Sequence, residues 1–456
     1  MSNTPATDQH ASAIARFSTG DVVVAVVGLG YVGLPLAHAF HEAGLSVLGV
    51  DTDPAKPRAL RPAAGERPTP YLRHLGDELY NALASSDRFD ATTDHTRLAQ
   101  ADAILVCVPT PLDEQHAPDL SYVVGAALQI ARVLRPGMLV VLESTTYPGT
   151  TRGEFLAPMR QLRPDLVPGR DYFVAFSPER EDPGNPHFRT RDIPKLVGGI
   201  DEPATRAACA LYARAFRSVI PVASAEVAES AKLLENTFRG VNIALVNELK
   251  MVFDAMGVDI WQVIDAASTK PFGFMRFTPG PGLGGHCIPI DPFYLAHKAR
   301  ELGRPSLFVE LAGVINTRMP EYVVLKLDEA LRAKGSVDGL SGARVLVLGL
   351  AYKPDIDDVR ESPSFEIIDH VRARGGECDY SDPLVPRTHA MRKRDLGMSS
   401  VELTPASVTS YDALVLSTAH AAFDYEMIAR HARLVVDTRN AFAAHALTLA
   451  ERLVKA

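Results

Sequence analysis

Between Asp21 and Gly33 the chain reads DVVVAVVGLGYVG, and few folds accommodate such a run. A short, valine-rich stretch without polar alternation suits a strand covered on both faces of a parallel sheet. It opens into Gly28-x-Gly30-x-x-Gly33, and helical sequence continues to Gly44. In such a turn the first glycine permits the tight bend and the second admits a pyrophosphate close to backbone. The third lets helix and strand pack. The free N–H groups of the helix start then face the phosphates. A second apolar run, LSVLGV at 45–50, ends at Asp51. This completes a β-α-β unit of about thirty residues. Asp51 stands where a carboxylate binds a ribose diol and repels a 2′-phosphate, so the unit predicts NAD and not NADP.

More apolar runs follow at 103–108, 138–142 and 172–176, separated by helical or polar segments. Strands alternating with helices predict a doubly wound α/β domain. From Ala225 to Met256 proline is absent. Leu234, Phe238, Val241, Leu245, Leu249, Val252 and Met256 recur at three- and four-residue spacings, which predicts one long amphipathic helix. A glycine- and proline-rich loop interrupts helical sequence at 278–292. A second sheet pattern then opens at 343–349, with further short strands at 401–403, 413–417 and 433–437. The expected architecture is α/β: two Rossmann-like doubly wound domains joined by a helical domain with a long central helix. The expected divisions are a loose tail at 1–20, a cofactor domain at 21–210, a helical domain at 211–320 and a second Rossmann-like domain at 321–456.

Composition narrows the function classes. The 456 residues carry 47 Lys and Arg against 55 Asp and Glu, a net charge of −8. A mildly acidic chain lacks the basic footprint of a nucleic-acid binder. Its four cysteines include no CxxC pair, which argues against a disulfide scaffold or a zinc ribbon and fits a reducing cytoplasm. No HxxxH pattern occurs, so no metal is expected. No apolar run reaches the ~18–20 residues that a membrane span needs, and the first twenty residues hold no signal-peptide core.

Several segments carry chemistry. Cys287 lies in PGPGLGGHCIPIDP at 279–292. Glycines at that density give no packing area and lose backbone entropy, so they imply close approach to a ligand or positive φ. His286 beside the thiol and Asp291 four residues on suit an activated nucleophile; an inert buried cysteine is the alternative. Cys107, Cys209 and Cys378 have the apolar or alanine-rich surroundings of core residues. Lys232 and Asn236 are four apart on the long helix and share a face. There they suit an alkoxide or a water, or else a solvated lysine with a structural asparagine. Glu179 and Thr145 each follow a strand, where α/β domains place function; turn chemistry and capping are the plain alternatives. Lys353 and Arg360 follow the first strand of the second sheet. They suit a diphosphate clamp or a surface loop of paired charges.

Taken in order, these segments resemble the NAD-dependent nucleotide-sugar 6-dehydrogenases, which include UDP-glucose dehydrogenase and the UDP-N-acetylhexosamine dehydrogenases. The likeness rests on GLGYVG at 28–33, VCVPTP at 106–111, ESTTYPGTT at 143–151, SPER at 177–180 and KLLEN at 232–236. GPGLGGHCIPIDP at 280–292 and LGLAYKPDIDDVRESP at 348–363 extend it over nearly the whole chain. The resemblance implies a four-electron oxidation of a sugar C6 alcohol to a carboxylate with two NAD per turnover, through a cysteine thiohemiacetal and thioester. It implies Cys287 as nucleophile, Lys232 and Asn236 on the C6 oxygen and oxyanion, and Asp291 orienting Lys232 or a water. Thr145 and Glu179 handle water, with Glu179 the better base. Cofactor contacts are implied at Gly28, Gly30, Tyr31, Val32, Gly33, Asp51, Pro109, Thr110, Thr145 and Arg360. Substrate contacts are implied at Glu179, Lys232, Asn236, Gly284 and Lys353. A cytoplasmic homodimer or higher homo-oligomer through the long helix is also implied, with a nucleotide sugar as its partner and neither nucleic acid nor membrane.

Ile290 in the cysteine loop, the SPERxxPG form of the Glu179 segment and TKPFGF at 269–274 resemble the N-acetylhexosamine branch, closest to UDP-N-acetylglucosamine 6-dehydrogenase. Residues 54–70 depart from it: they are rich in proline and arginine, and Pro57 is expected to shorten a helix there. UDP-glucose or dTDP-glucose is therefore the alternative substrate. A β-hydroxyacid dehydrogenase, which needs neither Cys287 nor a second α/β domain, is the more distant one.

Overall fold

The valine run forms β1 (Val23–Val27), an interior strand of an eight-stranded sheet. The coordinates come from a computed structural model that describes residues 4–63, 65–72, 75–113, 117–181, 189–285, 288–388 and 396–456. Contacts divide the chain into two units, Met1–Glu235 with Phe293–Arg304, and Asn236–Pro292 with Pro305–Ala456.

In the first unit β2 (Ser46–Val50), β3 (Phe89–Thr92), β4 (Ala103–Val106), β5 (Leu139–Leu142), β6 (Phe173–Phe176), β7 (Lys195–Gly199) and β8 (Val219–Pro221) join β1. The order is β3-β2-β1-β4-β5-β6-β7-β8; β7 pairs antiparallel with β6 and parallel with β8, so the last two strands run opposite to the first six. Its first six strands have the dinucleotide-binding order. Val24 and Val26 enter one core with Leu34 and Phe40, while Ala25 and Val27 enter another with Ile104 and Ile130. Both faces are thus covered, which is why the run shows no polar alternation.

Within the expected loose tail at 1–20 the described residues are ordered. Thr4–Thr19 is a helix. Phe17 is fully buried, and Arg16 donates to the carbonyl of Gly137 at 2.9 Å and pairs with Asp102 at 3.2 Å. The short helix Ala55–Leu60 does hold Pro57, at its third position, where a first-turn N–H has no helical partner to lose.

The second unit has a five-stranded parallel sheet of β9 (Arg344–Leu348), β10 (Glu377–Ser381), β11 (Ala413–Leu416), β12 (Val435–Asp437) and β13 (Leu453–Lys455). Its order is β10-β9-β11-β12-β13. The expected strand at 401–403 is absent; Val401 makes one backbone bond, to Tyr380 at 2.8 Å. The opening turn repeats that of the first sheet. Gly349 has φ +84° as Gly28 has +94°. Asp382 accepts from Leu350 N–H at 2.7 Å, as Asp51 does from Leu29 N–H.

Two long helices complete the chain, Ala225–Ala255 and Leu307–Ala333, the second holding Pro320. The expected boundary at 320/321 falls inside the second. The one at 210/211 falls inside the helix Glu202–Tyr212. On the first long helix Leu234, Phe238, Leu245 and Val252 remain 41–67% exposed. Among the described residues no helix is long and apolar enough to cross a membrane.

Candidate active site

The glycine turn is shaped by three different constraints. A Cβ at Gly28 would strike the Cys107 carbonyl, and one at Gly33 would strike the carbonyl of Gly28. A Cβ at Gly30 would meet nothing within 4 Å. That leaves the backbone at Gly30 open to the close approach a phosphate would require. Tyr31 and Val32 lie between, with Val32 capping the helix Gly33–Glu42. Asp51 fixes the turn: Oδ2 accepts from Leu29 N–H at 2.7 Å and Lys56 Nζ at 2.8 Å, and Oδ1 accepts from Asp53 N–H at 2.9 Å. A carboxylate has about four acceptor sites, so Oδ1 retains capacity for a ribose hydroxyl. These residues fit a dinucleotide. Lys56 was not singled out from the sequence; its five-residue spacing from Asp51 was the available signal.

Pro109 and Thr110 follow β4. Pro109 is exposed and Thr110 buried, and the Thr110 carbonyl accepts from Tyr294 Oη at 2.7 Å. Thr145 is half-buried in the loop after β5. That loop is tied to the long helix through Glu229, which is fully buried. Its carboxylate accepts from Gly149 N–H at 2.6 Å, Thr151 N–H at 2.8 Å and Thr151 Oγ1 at 2.7 Å. Burial pushes the Glu229 carboxyl up, to about 7, despite those donors.

Glu179 follows β6. Its Oε1 accepts from the N–H groups of Arg180 at 2.6 Å and Glu181 at 2.7 Å. Its Oε2 lies 3.2 Å from Lys195 Nζ. Lys195 also donates to Glu143 Oε2 at 2.6 Å, and Tyr212 Oη donates to the other oxygen of Glu143. Burial pushes Glu143 up to about 7 although Lys195 opposes this. Burial also raises Glu179, but Lys195, then Lys232, then its two backbone donors outweigh it, and its carboxyl lies below the usual range. The structure therefore brings Lys232, 7% exposed, into electrostatic reach of Glu179. Sequence reasoning missed Lys195, whose signal was a single lysine opening an otherwise apolar run, and Glu143, which stands inside a motif already singled out.

In the second unit Asn236 donates to the carboxylate of Asp291, itself 2% exposed. Cys287 and His286 lie outside the described residues. The loop that carries them is held closely. A Cβ at Gly284 would lie 3.1 Å from the Glu361 carbonyl and closer still to Tyr352 Cβ, and Gly285 N–H donates to the Arg360 carbonyl at 2.9 Å. Gly280 N–H donates to Asn247 Oδ1, and Asn247 donates to Asn316 Oδ1, each at 2.9 Å. That anchoring pair also escaped the sequence reading. Lys353 is half-buried on the same loop as Arg360, whose guanidinium grips Asp358 at 2.6–3.0 Å. Cys107 and Cys378 are buried and Cys209 partly so, all three free. Among the described residues no group of three or more His, Cys, Asp or Glu is placed to hold a metal ion.

Comparisons with known proteins agree with this layout. The NAD binding domain of the UDP-glucose/GDP-mannose dehydrogenase family matches residues 22–216, the family's central domain matches 226–318 and its UDP binding domain matches 346–444. The chain is 38% identical to UDP-N-acetyl-D-glucosamine 6-dehydrogenase of Pseudomonas aeruginosa, over 88% of this chain and 92% of that one. It is 35% identical to UDP-N-acetyl-D-mannosamine dehydrogenase of Pyrococcus horikoshii, over 91% and 95%. Among solved structures, the P. horikoshii UDP-D-ManNAc dehydrogenase superposes with a TM-score of 0.80 at 33% identity, covering 92% of this chain and 95% of that one. A UDP-glucose dehydrogenase from Pyrobaculum islandicum superposes with a TM-score of 0.80 at 29%, covering 95% and 98%. The second sheet and the matched UDP binding domain go against a β-hydroxyacid dehydrogenase, which needs neither. The chain belongs to the UDP-glucose/GDP-mannose dehydrogenase family of NAD-dependent nucleotide-sugar dehydrogenases.

Proposed function

We propose that the chain oxidises the C6 alcohol of a UDP-N-acetylhexosamine to the uronate. The balance is R–CH2OH + H2O + 2 NAD+ → R–COO− + 2 NADH + 3 H+. Bound NAD supplies the hydride acceptor for both oxidations. The ammonium of Lys232 and the amide of Asn236 hold the C6 oxygen and stabilise its developing negative charge. The Cys287 thiolate adds to the C6 aldehyde as a thiohemiacetal, which after the second oxidation is a thioester. Glu179 takes a proton from the water that releases the acid, with Thr145 positioning that water. Asp291 orients Asn236, its hydrogen-bond partner. Gly284 admits substrate close to backbone, Lys353 contacts the diphosphate, and Arg360 reaches the cofactor.

The observation that carries this reading is the ionised Glu179 beside two lysines, one of them Lys232. A carboxylate kept ionised at neutral pH has a free acceptor site for a proton from water, with less driving force than a pKa near neutrality would give. The acetamido preference draws support from the relatives, whose names specify UDP-N-acetyl-D-glucosamine and UDP-N-acetyl-D-mannosamine. In this reading residues 21–210, 211–320 and 321–456 serve as cofactor, helical and nucleotide-sugar domains. The enzyme works in the cytoplasm as a homodimer or higher homo-oligomer, closed over the exposed apolar stripe of Ala225–Ala255. NADH formation with UDP-N-acetylglucosamine, UDP-N-acetylmannosamine, UDP-glucose and dTDP-glucose tests it. Two NADH per acetamido sugar is expected. One NADH per sugar refutes the four-electron reaction, and preference for either glucose nucleotide refutes the acetamido assignment.

A further inference from the structure

The first unit buries a chain of polar groups that the proposed mechanism does not use: Tyr212, Glu143 and Lys195, ending on Glu179. Lys195 is 3% exposed and Glu143 is 1% exposed. The ammonium bridges Glu143 at 2.6 Å and Glu179 at 3.2 Å, and also lies 3.3 Å from the Pro178 carbonyl. The rings of Tyr212 and Phe216 cover it at 5.7 and 5.5 Å. A charge so enclosed acts on its neighbours with little screening.

We propose that Lys195 is a positioning residue for the hydrolytic half of the reaction: it holds the Glu179 carboxylate ionised and in place, and Glu143 sets how much of the ammonium charge reaches it. This rests on the reading of Glu179 as the base.

The neighbours of Glu179 support a division of labour. From β7 comes Lys195, from the long helix Lys232, from the end of β5 Glu143, and from its own loop Glu181. Tyr212 and the Cys107 thiol border the same cluster through Glu143, and burial pushes both well up, leaving them neutral. Among the described residues three carboxylates thus share two ammonium groups. The shortfall falls on Glu181, raised to about 8 by burial and then by Glu179, and on Glu143, raised to about 7. Glu179, in contact with Lys195 and within the field of Lys232, stays low. Lys195 reaches Glu179 through a carboxylate contact alone and need not touch substrate.

The test is the pH dependence of uronate release in the full-length enzyme for Glu179→Gln, Lys195→Met, Lys195→Arg and Glu143→Gln. Loss of the acid limb in Glu179→Gln identifies Glu179 as its source. Lys195→Met should then move that limb upward by roughly one to three pH units, the effect of removing an adjacent opposite charge. KM for the nucleotide sugar should stay within about twofold of the parent, since only a group beyond the substrate changes. Lys195→Arg should restore the limb, and Glu143→Gln should move it downward, because the ammonium then serves one carboxylate. Should Lys195→Met fail to fold through its stranded Glu143, the pair Lys195→Met/Glu143→Gln removes both charges and is expected to shift the limb upward as well. An acid limb unmoved by loss of Lys195, while Glu179→Gln abolishes it, overturns this proposal and leaves the base assignment standing. An acid limb that survives in Glu179→Gln overturns both.

Discussion

Glu229 and Thr151 are joined twice, the carboxylate accepting both the backbone N–H and the hydroxyl of Thr151. With the third bond, from Gly149, this one side chain fixes the loop that bears Thr145 to the helix that bears Lys232, three residues further on. Glu229→Ala leaves two buried donors and one half-buried donor without a partner. At about 1–3 kcal/mol for an unsatisfied buried group, with some recovery by water, a loss of about 2–4 kcal/mol is expected. Urea unfolding measures it. Glu229→Gln keeps the shape and part of the accepting capacity and should lose less. Equal loss in both variants would show that the carboxylate charge, and not the acceptor set, matters.

Asp51 should govern cofactor affinity. Asp51→Ala removes the acceptor for Leu29 N–H and the proposed ribose contact together, so NAD binding should weaken about 10- to 100-fold. Fluorescence titration of NADH measures this. Lys56→Ala should weaken it less, about threefold, since that side chain is the more exposed member of the pair. Unchanged affinity in Asp51→Ala would remove the acid from the cofactor site.

Cys287→Ser should abolish uronate release while NADH still binds with parental affinity. A hydroxyl lacks the thiolate population that attacks at neutral pH. Steady-state NADH production at the parental rate would refute the covalent route.

The apolar stripe on Ala225–Ala255 makes an oligomer prediction. Leu245 is 50% exposed and Val252 41%, so a charge at either disturbs little in the single chain. Leu245→Glu should convert the oligomer to a monomer by light scattering, with unfolding by far-ultraviolet dichroism still cooperative. A parental mass in that variant would place the interface elsewhere.

What could be read beforehand was whatever is local. The turn at 28–33, the strand before it and Asp51 after it belong to one β-α-β unit, and the clash that requires Gly33 is with the carbonyl of Gly28 in the same turn. The long helix was legible to within a residue because its apolar spacing is regular. What escaped depends on distant partners. Arg16 finds Gly137 across 121 positions and Glu229 finds Thr151 across 78, and no nearby residue announces either. Lys195 looks like a solvated strand end until Glu143 and Glu179 are folded around it. The 1–20 segment misled for the same reason: its polar composition hides Phe17, which only the packed helix buries. The Val401 segment has a strand's alternation but a single ladder bond, so composition alone overstated it.

The repeated turn has one further consequence. Asp382 receives five donors: Leu350 N–H, Ala351 N–H and His420 on Oδ2, and Leu384 N–H and Val385 N–H on Oδ1. That exceeds the about four acceptor sites of a carboxylate, whereas Asp51 receives three. One acid is spent entirely on architecture, and the other keeps a vacancy for chemistry. Damage at Asp382 should therefore read out as misfolding and damage at Asp51 as lost recognition, although the backbone around them was drawn to the same plan.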